Sequence, residues 1–152
     1  MKIVRESLFE AFREDSDPIE DMGIGTLPLI KKWIDAQFHK TWPMFINCKN
    51  DRTHSVRADS SKIIINDDLS IDVLASVDVS GEFGKILPEY IKFNYVQCDF
   101  VCSFPRNGYE KYLPNQVDGQ LRFYMNPYPA DVEAEKENIK KYCVVNNIEI
   151  RN

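Results

Sequence analysis

The middle of the chain repeats three apolar segments, LASVDV (residues 74–79), VQCDFVC (96–102) and VDGQLRF (117–123). Their first residues are 22 and 21 positions apart. A fixed period in the low twenties is typical of a solenoid, in which each turn supplies a strand and a return segment. One such unit cannot bury its apolar face alone, so neighbouring units must stack on it. The pattern predicts parallel stacking, with a plain antiparallel meander as the alternative.

Two helices are predicted to close this repeat core. The first starts at a capping Thr26 and runs to about His39, with an apolar stripe made by Leu27, Ile30, Trp33, Ile34 and Phe38. The second covers residues 130–142, with acids near its start and lysines near its end, which suits the helix dipole. The predicted fold is therefore α/β, with α+β possible. It is a short irregular leucine-rich-repeat-like β-solenoid or sheet of about five to seven short strands, capped by an N-terminal and a C-terminal helix.

The domain organisation follows from these elements. Residues 1–25 are predicted to form an N-terminal docking helix and an acidic connector. Residues 26–152 are predicted to form a single α/β domain, with its repeat core at 70–126 and its C-terminal cap at 130–152.

Composition limits the classes of function. The 152 residues are 43% hydrophobic and 28% charged, which is ordinary for a globular domain, and the net charge is −5. An acidic chain without a clustered basic face disfavours nucleic acid and suits a basic partner. No apolar run approaches the ~20 residues that cross a bilayer, and no signal peptide is visible. The four cysteines are therefore predicted to be reduced thiols in a cytosol.

Two clusters of reactive side chains are candidate sites. Cys48, Asp51 and His54 contain the residue types of a nucleophile, an orienting group and a base, but no oxyanion-hole motif accompanies them. The acids of residues 15–21 lack the alternating order of a calcium loop. On a strand, Cys98 and Cys102 would lie about 13 Å apart, which is too far for both to bind one metal ion. Buried, inert thiols are therefore favoured. The sequence therefore predicts no catalytic residue, no cofactor and no metal.

The predicted contact residues fall into three groups. One group is the apolar side of an amphipathic helix over residues 4–12, and another is the basic, exposed loop at 47–61. A third is the aromatic-rich region without basic neighbours, which favours a core plus a protein-binding face. The partner-binding candidates are Leu8, Phe12, Lys49, Arg52, His54, Arg57, Tyr109, Tyr112 and Tyr124.

Three segments resemble the small leucine-rich-repeat-like proteins of tailed (including crAss-like) bacteriophages. DSDPIEDMGIG at 15–25 resembles their opening Asp-Pro…Met-Gly-Ile-Gly signature, and LPEYIKF at 87–93 resembles their Phe-Pro-Glu-Tyr-Ile step. Residues 103–126 resemble a degraded copy of their repeat. The insert at 41–61 and the missing Gly-Cys-Pro step depart from the family's pattern. The resemblance implies a phage origin and a repeat architecture.

These observations together predict a non-catalytic phage protein that acts as a protein–protein interaction module and holds a host or phage protein. The alternative is a virion component, either cargo in the head or a small structural subunit. Residues 4–12 would dock it, because the opening of the chain resembles the short head-targeting peptides of large myophages. The predicted location is the cytoplasm of a bacterial host or the virion, with no nucleic-acid or membrane partner.

Overall fold

The secondary structure consists of short strands and two helices. A computed structural model describes residues 22–41, 43–48, 56–80, 87–105 and 107–152. The helices in this part of the chain are α1 (Met22–Gln37) and α2 (Val132–Lys140). The strands are β1 (Phe45–Ile46), β2 (Ile63–Ile65), β3 (Ile71–Val73), β4 (Ser76–Asp78), β5 (Phe93–Val96), β6 (Phe100–Cys102), β7 (Gln116–Val117), β8 (Gln120–Tyr124) and β9 (Asn147–Arg151).

The strands form two mixed sheets. The first sheet has the order β1-β4-β6-β8-β9, and the second has the order β2-β3-β5-β7. In the first sheet β1 pairs antiparallel with β4, whereas the remaining neighbours are parallel. In the second sheet β2 pairs antiparallel with β3, whereas β3, β5 and β7 are parallel. The pair of β2 and β3 is the hairpin that the β-branched run at 62–65 and the alternating residues at 69–73 predict.

The predicted solenoid with a helix over each end is wrong. Both sheets contain an antiparallel edge pair, and α2 is followed by β9, which extends the first sheet instead of leaving α2 as a cap. The described chain is an α+β fold with nine strands and two helices. The meander alternative is wrong as well, because β4, β6 and β8 run parallel. A sequence period reports the length of a unit but not which sheet each part of the unit joins.

A bend inside each repeat explains this difference. The predicted strand at 96–102 is divided between β5 and β6, and the predicted strand at 117–123 is divided between β7 and β8. Residues 97–99 and 118–119 form the bends. Each repeat therefore supplies one strand to each sheet, and the apolar residues before and after the bend face one another across the core.

The core lies between the sheets. In the first sheet, registered neighbours form a buried row of side chains, which are Phe45, Val77, Phe100, Leu121 and Ile148. Phe93 of the second sheet meets Phe100 edge-on, with ring centroids 5.9 Å apart. Aromatic pairs of this kind stabilise a core by ~1 kcal/mol beyond the area they bury.

The two helices differ in how well the sequence places them. Asp131 caps α2 by accepting a hydrogen bond from the backbone N–H of Ala134 at 3.1 Å. Helix α1 begins at Met22, so the start predicted at Thr26 is wrong, and Pro28 lies inside the helix. The helix also crosses the boundary predicted between residues 25 and 26. Buried Leu27, Ile30 and Ile34 supply the apolar stripe that holds it on the domain.

Candidate functional site

The predicted contact residues do not form one surface. Leu8, Phe12, Lys49, Arg52 and His54 lie outside the described residues, as does the acidic cluster at 15–21. Arg57 is exposed and pairs in an antiparallel bridge with Ile46. Part of the loop predicted at 47–61 is therefore ordered chain against β1, and Ala58 within it is buried. Tyr112 and Tyr124 are half-buried.

Tyr109 was predicted to contact a partner, but it is a core residue. Its side chain is 1% exposed, and its ring packs edge-on against Phe123 with centroids 5.0 Å apart. The hydroxyl donates to Oε2 of Glu135 at 2.7 Å and accepts from Nδ2 of Asn138 at 2.7 Å. Burial, together with the hydrogen bond to Glu135, raises the pKa of Tyr109 to about 12. This position offers no surface to a partner.

The cysteines correct a second expectation. Cys48 and Cys98 are joined in a disulfide, with their Cα atoms 5.8 Å apart. The prediction of reduced thiols is therefore wrong for this pair. Cys102 and Cys143 are free and buried, and burial raises the pKa of both thiols, that of Cys143 to about 11. Because only a thiolate is a strong nucleophile, none of these four sulfur atoms is poised for attack.

The outer face of the second sheet carries a row of registered neighbours. Ile64 lies opposite Asp72, Asp72 opposite Tyr95, and Tyr95 opposite Gln116. Val144 extends the row through a parallel bridge to Gln116. Side chains alternate between the faces of a strand, so this row is on the opposite side from buried Ile71, Val73 and Val96. The outer row, with Asn66, Asn94, Asn115 and Asp118 beside it, is called here the polar face.

A chain of hydrogen bonds crosses the polar face. Oδ1 of Asp72 accepts from Nδ2 of Asn66 at 3.0 Å and from Nδ2 of Asn94 at 2.9 Å. Oδ1 of Asn94 in turn accepts from Nδ2 of Asn115 at 2.9 Å. The chain connects side chains on or beside all four strands of the sheet. These hydrogen bonds hold the side chains in one arrangement.

A second cluster adjoins this chain. The Tyr95 hydroxyl donates to Oδ2 of Asp118 at 2.5 Å, and Nε2 of Gln116 donates to Oδ1 of Asp118 at 2.9 Å. The hydrogen bond from Tyr95, followed by that from Gln116, lowers the pKa of Asp118. The same bond raises the pKa of Tyr95. The Asp118 carboxylate is therefore kept charged and its position is set from two sides.

The polar face is acidic and partly apolar at its ends. An open depression of about 580 Å³ lies at the β2–β3 turn, lined by Ile64, Ile65, Asn66, Asp67, Asp68, Ser70 and Asn94. At one end of the row Ile64 is 42% exposed, and at the other Val144 is 69% exposed. The surface thus combines fixed carboxylates and amides with two aliphatic side chains.

A separate cleft lies between the turn at 107–110 and α2. It has a volume of about 920 Å³ and is lined by Asn107, Gly108, Glu110, Pro127, Ala130, Asp131, Ala134, Glu135 and Asn138. The cleft contains carboxylates but no cysteine, histidine, serine or lysine among these residues. Within the described ranges, no cluster of three His, Cys, Asp or Glu residues is placed to hold a metal ion.

The residues of the polar face are not among the predicted contact residues, although the sequence contains a signal for them. Asp72, Asn94 and Asn115 are 22 and 21 positions apart, which is the spacing of the repeat itself. Polar side chains that recur at the period of stacked units must meet in a ladder. The predicted repeat depends on apolar positions only, and these do not reveal the polar ladder.

Comparison with known proteins adds no family. No family model matches the chain, and neither the curated proteins nor the solved structures give a match. Neither of the described helices is long and apolar enough to cross a membrane.

Proposed function

We propose that this protein is a non-catalytic module that binds another protein through the polar face of its second sheet. The observation that carries the proposal is the chain of hydrogen bonds from Asn66 through Asp72 and Asn94 to Asn115. Binding costs conformational entropy wherever side chains must be ordered. Side chains already fixed by one another on short paired strands avoid most of that cost.

The chemistry of the polar face selects the kind of partner. Asp72 and Asp118 are its charged groups, and both are carboxylates. Oδ2 of Asp72 has no hydrogen-bond partner among the described residues, which leaves it able to accept a bond from a lysine or arginine. The net charge of −5 favours the approach of the same partners. The partner is therefore a protein that presents basic side chains.

The ends of the row supply apolar contact. Ile64 and Val144 are large exposed hydrophobic residues at opposite edges of the same face. A protein interface combines apolar contacts with hydrogen bonds and a polar rim. The two aliphatic side chains would anchor a partner whose basic groups meet Asp72 and Asp118 between them.

A non-enzymatic role is part of the proposal. The one arrangement of residues that suggested covalent catalysis depended on a Cys48 thiol, and Cys48 is bonded to Cys98. The resemblance to phage proteins at 15–25, 87–93 and 103–126 supports a host or phage protein as the partner.

The test uses variants that change charge and keep shape. The double variant D72N/D118N removes both carboxylate charges, while the amide oxygens still accept hydrogen bonds from Asn66, Asn94 and Gln116. The matched control E133Q/E137Q removes two exposed charges from α2 and gives the same net charge. Each protein is used to capture partners from phage-infected bacterial cells, and thermal unfolding confirms that all three are folded.

We expect the wild type and the control to capture a protein with basic surface residues. We expect D72N/D118N not to capture this protein. Its affinity should fall as salt is added, because exposed charges are screened. Equal capture by D72N/D118N and by the wild type would exclude the polar face as the binding surface.

A further inference from the structure

The last strand of the first sheet leaves an open edge. Strand β9 has β8 on one side, and no strand of the described chain lies on its other side. The N–H of Met125 donates to the carbonyl oxygen of Arg151 at 2.8 Å, so Arg151 faces β8. Alternate residues of a strand bond to the same neighbour, so the backbone groups of Ile148 and Ile150 point away from β8. A row of donors and acceptors is therefore available at this edge.

The other edges are less open. The outer side of β1 is covered by residues 56–58, through hydrogen bonds from Asn47 N–H to Val56 at 2.7 Å and from Ala58 N–H to Phe45 at 3.0 Å. Strand β2 has only three residues, and its first N–H is bonded to the carbonyl of Ser60. Strand β9 has five residues and therefore presents the longest open edge in the described chain. Exposed edges of this kind pair with other chains unless something covers them.

We propose that β9 pairs antiparallel with β9 of a second copy of this chain, about a two-fold axis at Ile150. In this register Ile150 lies opposite Ile150 of the copy, and Ile148 lies opposite Asn152. Because these are the residues whose backbone groups point outward, about six backbone hydrogen bonds form. The two copies of the first sheet become one continuous sheet.

Side-chain charge selects this register. With the axis at Ile150, Glu149 lies opposite Arg151 of the copy in a pair without backbone hydrogen bonds, where side chains are closest. By symmetry the same contact forms twice. Moving the axis to Glu149 would place two glutamates opposite one another. Moving it to Ile148 would place Asn147 opposite Glu149 and form no pair of opposite charges.

Charge exchange between two variants tests the register directly. In E149R alone, arginine faces Arg151 in both contacts of the pair, and in R151E alone, glutamate faces Glu149. When the two variants are mixed, both contacts become opposite in charge. Sedimentation velocity of the full chain is measured for the wild type, each variant and the equimolar mixture.

The proposal expects a dimer for the wild type, a dissociation constant raised by roughly tenfold or more for either variant alone, and recovery of the dimer in the mixture. Arg151 also donates to Glu149 within its own chain, at 2.7 Å, and both variants break that hydrogen bond. E149R in addition breaks the hydrogen bond from Arg122 to Glu149, which is 2.9 Å long. R122Q removes that bond without altering the edge and should dimerise as the wild type does. A folding defect in either variant would persist in the mixture, because each chain still carries its own substitution. Recovery of the dimer in the mixture therefore shows that the variants fail to pair alone because of charge.

Three results would overturn the proposal. The first is a wild type that stays monomeric at about 200 μM, well above a micromolar dissociation constant. The second is a dimer that neither variant weakens. The third is a monomer whose Ile148 and Ile150 amide hydrogens exchange slowly at every concentration, which would assign the edge to another segment of the same chain.

Discussion

Replacing Gly119 with alanine is expected to destabilise the fold by a steric mechanism that the structure defines closely. Gly119 lies in the bend between β7 and β8, directly against the preceding repeat. Its N–H donates to the carbonyl oxygen of Cys98 at 2.9 Å. A Cβ atom at Gly119 would lie 2.5 Å from that oxygen, 2.6 Å from the carbonyl carbon of Cys98 and 2.5 Å from Oδ1 of Asp99.

The magnitude follows from what can move. The carbonyl of Cys98 is backbone, and the N–H of Cys98 is itself bonded to Ala75 at 3.2 Å. Oδ1 of Asp99 accepts from the N–H of Gln120 at 2.9 Å, so moving it away breaks a second bond. Overpacking costs about 1–3 kcal/mol, and a lost hydrogen bond adds about 1 kcal/mol. We expect G119A to lower the free energy of unfolding by about 3 kcal/mol, and Tm by roughly 6–12 °C.

Gly108 supplies the matched control. Its φ is 90°, and a Cβ atom there meets nothing within 4 Å. G108A therefore costs only the left-handed backbone conformation, about 1 kcal/mol. Urea unfolding followed by circular dichroism compares the two variants with the wild type. If G119A were no less stable than G108A, the close approach of the bends would not be a constraint on the fold.

Two further predictions concern single side chains. C48S removes the disulfide to Cys98, which closes a loop of 50 residues, and should lower the free energy of unfolding by about 3–4 kcal/mol. Thermal unfolding with and without a reductant checks this, because a reductant should lower Tm in the wild type but not in C48S. Y109F removes the hydroxyl that bonds Glu135 and Asn138, and should cost about 1–2 kcal/mol at neutral pH. Because the pKa of Tyr109 rises from its usual 10.0 to about 12 on folding, the neutral hydroxyl stabilises the native state below pH 10, and this contribution is lost as the pH rises from 10 to 12. Urea unfolding at pH 8 to 11 should therefore show a steeper fall for the wild type than for Y109F, and parallel curves would contradict the assignment.

Local signals predicted several elements correctly. The β-branched run before residue 66 and the alternation after it predicted the hairpin of β2 and β3, because both patterns act through neighbouring residues. Asp131 and the charge order after it predicted α2. The start of α1 was placed four residues too late, since Thr26 is a good capping residue in isolation and Pro28 usually marks a first turn.

The functional candidates were predicted less well because they depend on contacts between distant segments. The aromatic count suggested Tyr109 as a contact residue, but its ring fills the space beside Phe123. The polar face needed the register of four strands, which places Asp72 between Asn66 and Asn94. Composition could assign the face an acidic character, but it could not order these residues along a surface.

The sequence by itself determined the repeat spacing, the short apolar strands and the acidic balance of the chain, because each of these is a property of neighbouring residues or of composition. Only the tertiary structure decided that each repeat divides between two sheets, that Cys48 meets Cys98, and that β9 is left with an open edge. Those outcomes depend on which segments pack together across many residues of chain. A local pattern constrains the parts, but the shared core selects among the ways in which they can assemble.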